Sequence, residues 1–145
     1  MQSLNVAFVV QGEGRGHMTQ ALALAAFLRE AGHEVSAVMV GRSPWRTIPD
    51  YFVQGIAADI EEFEAPTQVP AADGRALSVP RTIADAALRS PGFIRSVLRI
   101  AEVTQSADVV VNFLDLMGGA ARKLFPSRVP ALAVAPRFGL WSVTA

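Results

Sequence analysis

The sequence of 145 residues contains no cysteine, which excludes disulfide bonds, thiolate metal sites and a cysteine nucleophile. It also lacks any uninterrupted apolar run of the ~20 residues that cross a bilayer. The first ten residues, MQSLNVAFVV, lack the basic start and the small-residue cleavage site of a signal peptide. We therefore expect a cytoplasmic protein whose association with a membrane, if any, is peripheral.

An excess of charge of either sign is also absent, because 13 Lys and Arg balance 13 Asp and Glu. Nucleic-acid binding depends on a basic surface that displaces counterions, so no nucleic-acid partner is expected. The two histidines, His17 and His33, have no carboxylates at ligand spacing, and no metal is expected. Hydrophobic residues make up 51% of the chain, enough to predict one domain over residues 1–145 with a sizeable core.

Short apolar runs alternate with amphipathic segments along the chain. The predicted strands cover residues 4–12, 34–41, 56–65, 107–113 and 129–136. The predicted helices cover residues 17–31, 45–52, 81–105 and 114–125. Ser43 and Pro44 suggest the start of the second helix, and Pro91 should break or kink the third. A proline-rich irregular loop is predicted over residues 66–80.

This alternation predicts an α/β fold with three layers, a doubly wound, Rossmann-like parallel sheet of five or more strands. Ligands of such sheets bind beyond the carboxyl ends of the strands. Residues 12–17, 41–43 and 112–115 follow three of the predicted strands, so these segments should meet at that edge.

The segment QGEGRGHM places Gly12, Gly14 and Gly16 at alternate positions and His17 directly after them. In the dinucleotide fingerprint G-x-G-x-x-G a third glycine would stand where His17 stands. The second strand ends in Arg42 rather than in an acidic residue, and Arg42 would face the extra phosphate of NADP. An NADP-dependent oxidoreductase domain therefore remains an alternative, as does a non-catalytic domain that only binds a partner.

A glycine loop that leads into a helix brings backbone N–H groups and the helix dipole to an anion. The simpler interpretation is a tight turn without a ligand. His17 favours the first interpretation, because the dipole favours a neutral imidazole, which accepts a proton from a hydroxyl. Arg15 and Arg42 lie on loops at the same edge and are candidates for pairing with a phosphate.

The segment GEGRGHMTQALALAAFLREAGHEV resembles the start of the N-terminal domain of two-domain (GT-B) glycosyltransferases. The similarity is strongest to the group containing the bacterial peptidoglycan enzyme that adds N-acetylglucosamine to a lipid-linked sugar. Residues 107–134, ADVVVNFLDLMGGAARKLFPSRVPALAV, resemble a later strand–helix–strand unit of that domain. Residues 50–99 match only in the order of elements.

The resemblance implies that Gly12, Gly14 and Gly16 face a cleft between two domains and that His17 is the general base for an acceptor hydroxyl. In the family an aspartate at the end of the fourth strand orients this histidine. Here Asn112 stands at that position and Asp115 follows three residues later. Either Asp115 reaches His17 or the dyad is absent.

The resemblance also implies a second, C-terminal domain that this chain does not contain. That domain would hold a nucleotide-diphosphate sugar as donor substrate, and no other cofactor is expected. The acceptor would be a small molecule or lipid-linked. We expect the chain alone to be inactive. Phe138 and Trp141 are candidates for apolar surface that the second domain would cover, and their exposure would favour a homodimer.

Overall fold

Six strands of the described residues form one sheet in the order β3-β2-β1-β4-β5-β6. The structure is a computed structural model, and it describes residues 2–42, 44, 46–66, 89–113, 115–134 and 140–142. The strands are β1 Asn5–Val10, β2 Glu34–Arg42, β3 Ile60–Glu64, β4 Val109–Phe113, β5 Ala131–Val134 and β6 Leu140–Ser142. The helices are α1 Arg15–Glu30, α2 Asp50–Ile56, α3 Ser90–Gln105 and α4 Leu116–Leu124.

The first five strands are parallel, which confirms the predicted Rossmann-like α/β fold. β1 lies at the centre, and its residues alternate between two cores because successive side chains of a strand point to opposite faces. Phe8 packs with Met18 of α1 and Phe52 of α2 on one face. On the other face Val9 packs in a core that includes Ile100 of α3. Helices therefore cover both faces of the sheet, as an apolar run such as β1 requires.

The strand order changes direction at β1, which pairs with β2 on one side and with β4 on the other. In open α/β sheets the loops at such a switch point separate and leave a crevice beyond the carboxyl ends of the strands. Here those loops are the ones that follow β1, β2 and β4. The topology thus places the glycine loop, defined as residues 12–16, at the point where a ligand site is expected.

The predicted helix over residues 45–52 is wrong: α2 begins at Asp50, with Pro49 as its N-cap. A proline inside the predicted helix would lack an N–H group and would clash with the carbonyl group four residues earlier. Burial gives the second reason, because Phe52 and Ile56 pack one turn apart in the core beside α1. Ser43 and Trp45 lie outside the described residues.

Pro91 lies in the first turn of α3, so it marks the start of the described helix instead of a kink within it. The predicted loop over 66–80 and the predicted helical residues 81–88 lie outside the described residues, apart from residue 66. A difference from the sequence prediction is β6, which pairs antiparallel with β5. Among the described helices, none is long and apolar enough to span a membrane.

Candidate functional site

Three loops meet at the carboxyl edge of the sheet, and small residues let them approach closely. A Cβ atom on Gly12 would overlap the carbonyl oxygen of Gly41, so the backbone after β1 is in direct contact with the end of β2. A Cβ atom on Gly41 would lie 3.0 Å from Oδ2 of Asp115, which follows β4. The structure therefore brings these segments together, as the order of elements predicts.

The three glycines of the loop have different surroundings. Gly12 has no space for a side chain, as described above. Gly14 is the N-cap of α1, and a Cβ atom there would lie 3.0 Å from Cδ2 of His17. Gly16 has no heavy atom within 4 Å of the place where its Cβ atom would be. Because none of the three has a positive φ, close approach, and not backbone conformation, explains the glycine at position 12.

His17 lies in the first turn of α1 and is only 8% exposed. Its Nδ1 atom is buried and forms no hydrogen bond with any residue that the structure describes. Leaving a buried polar atom unsatisfied costs about 1–3 kcal/mol, and in native structures the explanations for such an atom include a catalytic role, a bound water and a bound ion. His17 is thus a buried imidazole with an uncommitted ring nitrogen at the edge where the loops converge.

The N-terminus of α1 has no side-chain cap. Gly14 offers no side-chain acceptor, and the first turn contains no acidic residue. The first N–H groups of a helix have no partner within the helix, and together with the dipole they favour an anion. This end of α1 is therefore compatible with the anion-binding role predicted for Gly12, Gly14 and Gly16.

The N-terminus of α4 is capped by Asp115. Its Oδ1 atom accepts hydrogen bonds from the N–H groups of Met117 and Gly118, at 2.7 and 3.1 Å. Asn112 supports this turn: its Oδ1 atom accepts from the N–H group of Asp115 at 2.8 Å, and its Nδ2 atom donates to the Asp115 carbonyl at 3.0 Å. Asn112 and Asp115 thus form one interlocked turn after β4.

Asp115 is 5% exposed, and burial raises the pKa of its carboxyl group from 3.8 to about 6. The N–H groups of Gly118 and Met117 act in the opposite direction, because they stabilise the ionised form. No hydrogen bond joins Asp115 to Nδ1 of His17, which has no partner. The role of Asp115 beside His17 remains a prediction.

The predicted arginines occupy different parts of this edge. Arg15 is exposed at the first residue of α1 and lines a cavity of about 460 Å³. Arg42 is exposed at the end of β2 and lines a much smaller cleft, which also includes Asp115. The two arginines therefore do not share one cavity.

Arg46 is a residue of this edge that the sequence analysis missed. Its Nη1 atom donates a hydrogen bond to the carbonyl oxygen of Glu13, at 2.9 Å, and it lines the same cavity as Arg15. Its position in the loop after β2 was a usable signal, because the same edge argument selected Arg42. Arg46 was not selected because the predicted helix over 45–52 assigned it to a helix and not to the loop.

A second cavity, of about 580 Å³, lies on the α3 and α4 side of the sheet. Its lining is mainly apolar and includes Val9, Ile100, Val110, Ala121 and Phe125. None of the predicted site residues lines it except Asn112. Within the described part of the chain, no group of three His, Asp or Glu residues is placed to hold a metal ion.

No protein-family model and no curated protein matches the sequence. Among solved structures, the fold is similar to that of CalG4, the calicheamicin glycosyltransferase, with a TM-score of 0.57 and 14% identity. The match covers 92% of this chain and 32% of CalG4, so the chain spans about a third of that protein. A glycosyltransferase of kitacinnamycin matches 86% of this chain and 28% of its own, at 17% identity and a TM-score of 0.49.

The similarity to CalG4 concerns the fold, since the identity is low. The chain therefore has a Rossmann-like domain fold similar to that of CalG4, with polar loops gathered at the carboxyl edge of its parallel strands.

Proposed function

We propose that this chain is the acceptor-side domain of a GT-B glycosyltransferase that transfers a sugar from a nucleotide-diphosphate sugar to an acceptor hydroxyl. The observation that carries the proposal is the environment of His17. It is nine-tenths buried, its Nδ1 atom is unpaired, and it lies in the first turn of the helix that follows the glycine loop. The CalG4-like fold supports the same class of reaction.

In the proposed reaction, a ring nitrogen of His17 accepts the proton of the acceptor hydroxyl as its oxygen attacks the anomeric carbon of the donor. The new C–O bond forms while the bond from that carbon to the nucleotide diphosphate breaks. The electron pair of that bond leaves with the diphosphate. His17 passes its proton to solvent before the next cycle.

The loop after β1 would bring the acceptor to this position. Gly12 allows the backbone after β1 to contact the end of β2, and Gly14 leaves room for the ring of His17. Asn112 and Asp115 stabilise the neighbouring turn after β4. In this proposal their contribution is to hold the edge of the sheet in place while the histidine carries the proton.

The donor side of the cleft belongs, in this proposal, to a second domain. The match to about a third of CalG4 is consistent with that arrangement, because two thirds of that protein lies outside the match. The acceptor would be a small molecule or a lipid-linked sugar, as in the peptidoglycan group that the glycine loop resembles.

The test is His17→Ala in the full protein that contains this domain and the donor-binding domain. Sugar transfer should fall by about two orders of magnitude or more, the usual contribution of a general base. The matched control is Gln20→Ala, because Gln20 is exposed one turn further along α1. Unchanged turnover of the His17 variant would exclude the proposed base role, and circular dichroism would verify that both variants fold.

A further inference from the structure

Arg15 and Arg46 line the same cavity at the carboxyl edge of the sheet. We call it the arginine cavity: it has a volume of about 460 Å³ and lies between the glycine loop and the segment before α2. Its lining residues are Gly12, Glu13, Arg15, Met18, Arg46, Thr47 and Pro49. Two arginines, one at the start of α1 and one in the segment between β2 and α2, therefore line one cavity.

Arg46 is held in place beside the glycine loop. Its Nη1 atom donates a hydrogen bond to the carbonyl oxygen of Glu13. Among the described residues, the other N–H groups of its planar guanidinium form no hydrogen bond and can donate to a ligand. Within the part of the chain that the structure describes, neither Arg15 nor Arg46 forms an ion pair. Both side chains are exposed, so a ligand can reach them.

The charge of the arginine cavity favours an anion. Two arginines outweigh the single carboxyl group of Glu13, and the uncapped N-terminus of α1 adds a partial positive charge. Burial raises the pKa of Glu13, whereas the charge of Arg46 acts in the opposite direction. An incoming anion would raise that pKa further.

We propose that the arginine cavity binds the anionic group of a ligand, a phosphate or a carboxylate, through Arg15 and Arg46. If the proposed function holds, the ligand is the acceptor, and the acceptor class narrows to hydroxyl compounds that carry such a group. Guanidinium groups suit both anions, because their planar N–H pairs match two oxygen atoms of either one.

The experiment is an NMR titration of the 15N-labelled 145-residue chain with sodium phosphate, pyrophosphate or acetate at constant ionic strength. We expect saturable shifts of the amide signals of Gly12, Glu13 and Arg15 in the wild type. Arg46→Ala should weaken binding roughly fivefold or more, and Arg46→Lys by less, because it keeps the charge but loses the fork of donors.

A second variant should change anion binding in the opposite direction. Glu13→Gln removes the carboxylate from the arginine cavity and should strengthen binding of every anion that binds. Arg128→Ala is the matched control, because it removes an exposed arginine from the loop before β5, at the other end of the sheet. A preference for phosphate or for acetate identifies which anionic group the acceptor carries.

Three results would overturn the inference: no saturable shift with any of the anions, unchanged binding in Arg46→Ala, or an equal loss in Arg128→Ala. The titration involves no sugar transfer. Its failure would leave the base role of His17 intact, and loss of that role would leave anion binding intact.

Discussion

The helices α1 and α4 begin at the same edge of the sheet, but their N-termini differ. At α4 the side chain of Asp115 binds two of the free N–H groups. At α1 the N-cap is Gly14, which has no side chain, and the ring of His17 lies beside it. The N-terminus of α4 is capped by the chain's own carboxylate, whereas at α1 no described side chain forms a cap hydrogen bond. The two therefore separate a structural end of a helix from a candidate binding site.

The two larger cavities show a related contrast. Three of the seven residues that line the arginine cavity are charged, whereas the larger cavity beside α3 and α4 is lined mainly by apolar groups. Size alone therefore does not identify the site, and the chemistry of the lining does.

The largest expected effect concerns the glycine loop itself. Gly12→Ala should lower the free energy of unfolding by about 3 kcal/mol or more, because its Cβ atom would overlap the backbone oxygen of Gly41. Gly16→Ala is the matched change, with open space around it and a helical position that favours alanine by up to ~1 kcal/mol. Urea unfolding of both variants measures the difference in the free energy of unfolding. Equal effects would contradict the close contact between Gly12 and Gly41, because Gly16 has no such neighbour.

The second prediction concerns the pH dependence at α4. Because burial raises the pKa of Asp115 from 3.8 to about 6, the folded state holds a proton that the unfolded state releases between those values. The contribution of Asp115 to the free energy of unfolding should therefore increase as the pH falls through about 6 and level off near 4. The full change is up to about 3 kcal/mol.

This dependence is measured as the difference in unfolding free energy between the wild type and Asp115→Asn, from pH 4 to pH 8. The asparagine keeps a capping oxygen but cannot ionise, so other titrating groups cancel in the difference. A difference that is flat across this range, or that changes in the other direction, would contradict the raised pKa.

The smallest effect is that of the cap alone. At pH 7, Asp115→Ala should be less stable than Asp115→Asn by about 1–2 kcal/mol, because alanine leaves the N–H groups of Met117 and Gly118 unpaired. Thermal unfolding of the two variants gives the comparison. Equal stability would mean that water satisfies these groups as well as a side chain does, and α4 would then resemble α1.

The sequence predicted β1, β2 and β4 well because each is a mainly apolar run, and polar residues or glycine follow it closely. It predicted α2 poorly. Ser43 and Pro44 match the pattern of a helix start, but a helix that begins there would contain Pro49, and α2 begins only after that proline. It also did not predict β6, a strand of three residues that pairs antiparallel with β5. Such a short strand depends on its pairing partner and not on a pattern of its own.

For the candidate site, order along the chain was enough to place the described residues 12–17, 41–42, 112–113 and 115 at one edge of the sheet. It was not enough to rank the residues within that edge. Arg46 enters the site because the segment before α2 turns back to the carbonyl oxygen of Glu13, a contact that spans 33 residues. No local pattern contains a contact of that range.

By itself, the sequence determined the alternation of strands and helices, the position of the glycine loop before α1, and the presence of His17 at the start of that helix. These features depend on hydrophobic periodicity and on neighbours in the chain. Only the tertiary structure decided that Gly12 is the crowded glycine, that Nδ1 of His17 is unpaired, and that Asp115 caps α4. Each of these depends on atoms that folding brings together, so burial and contact across the sheet decide them.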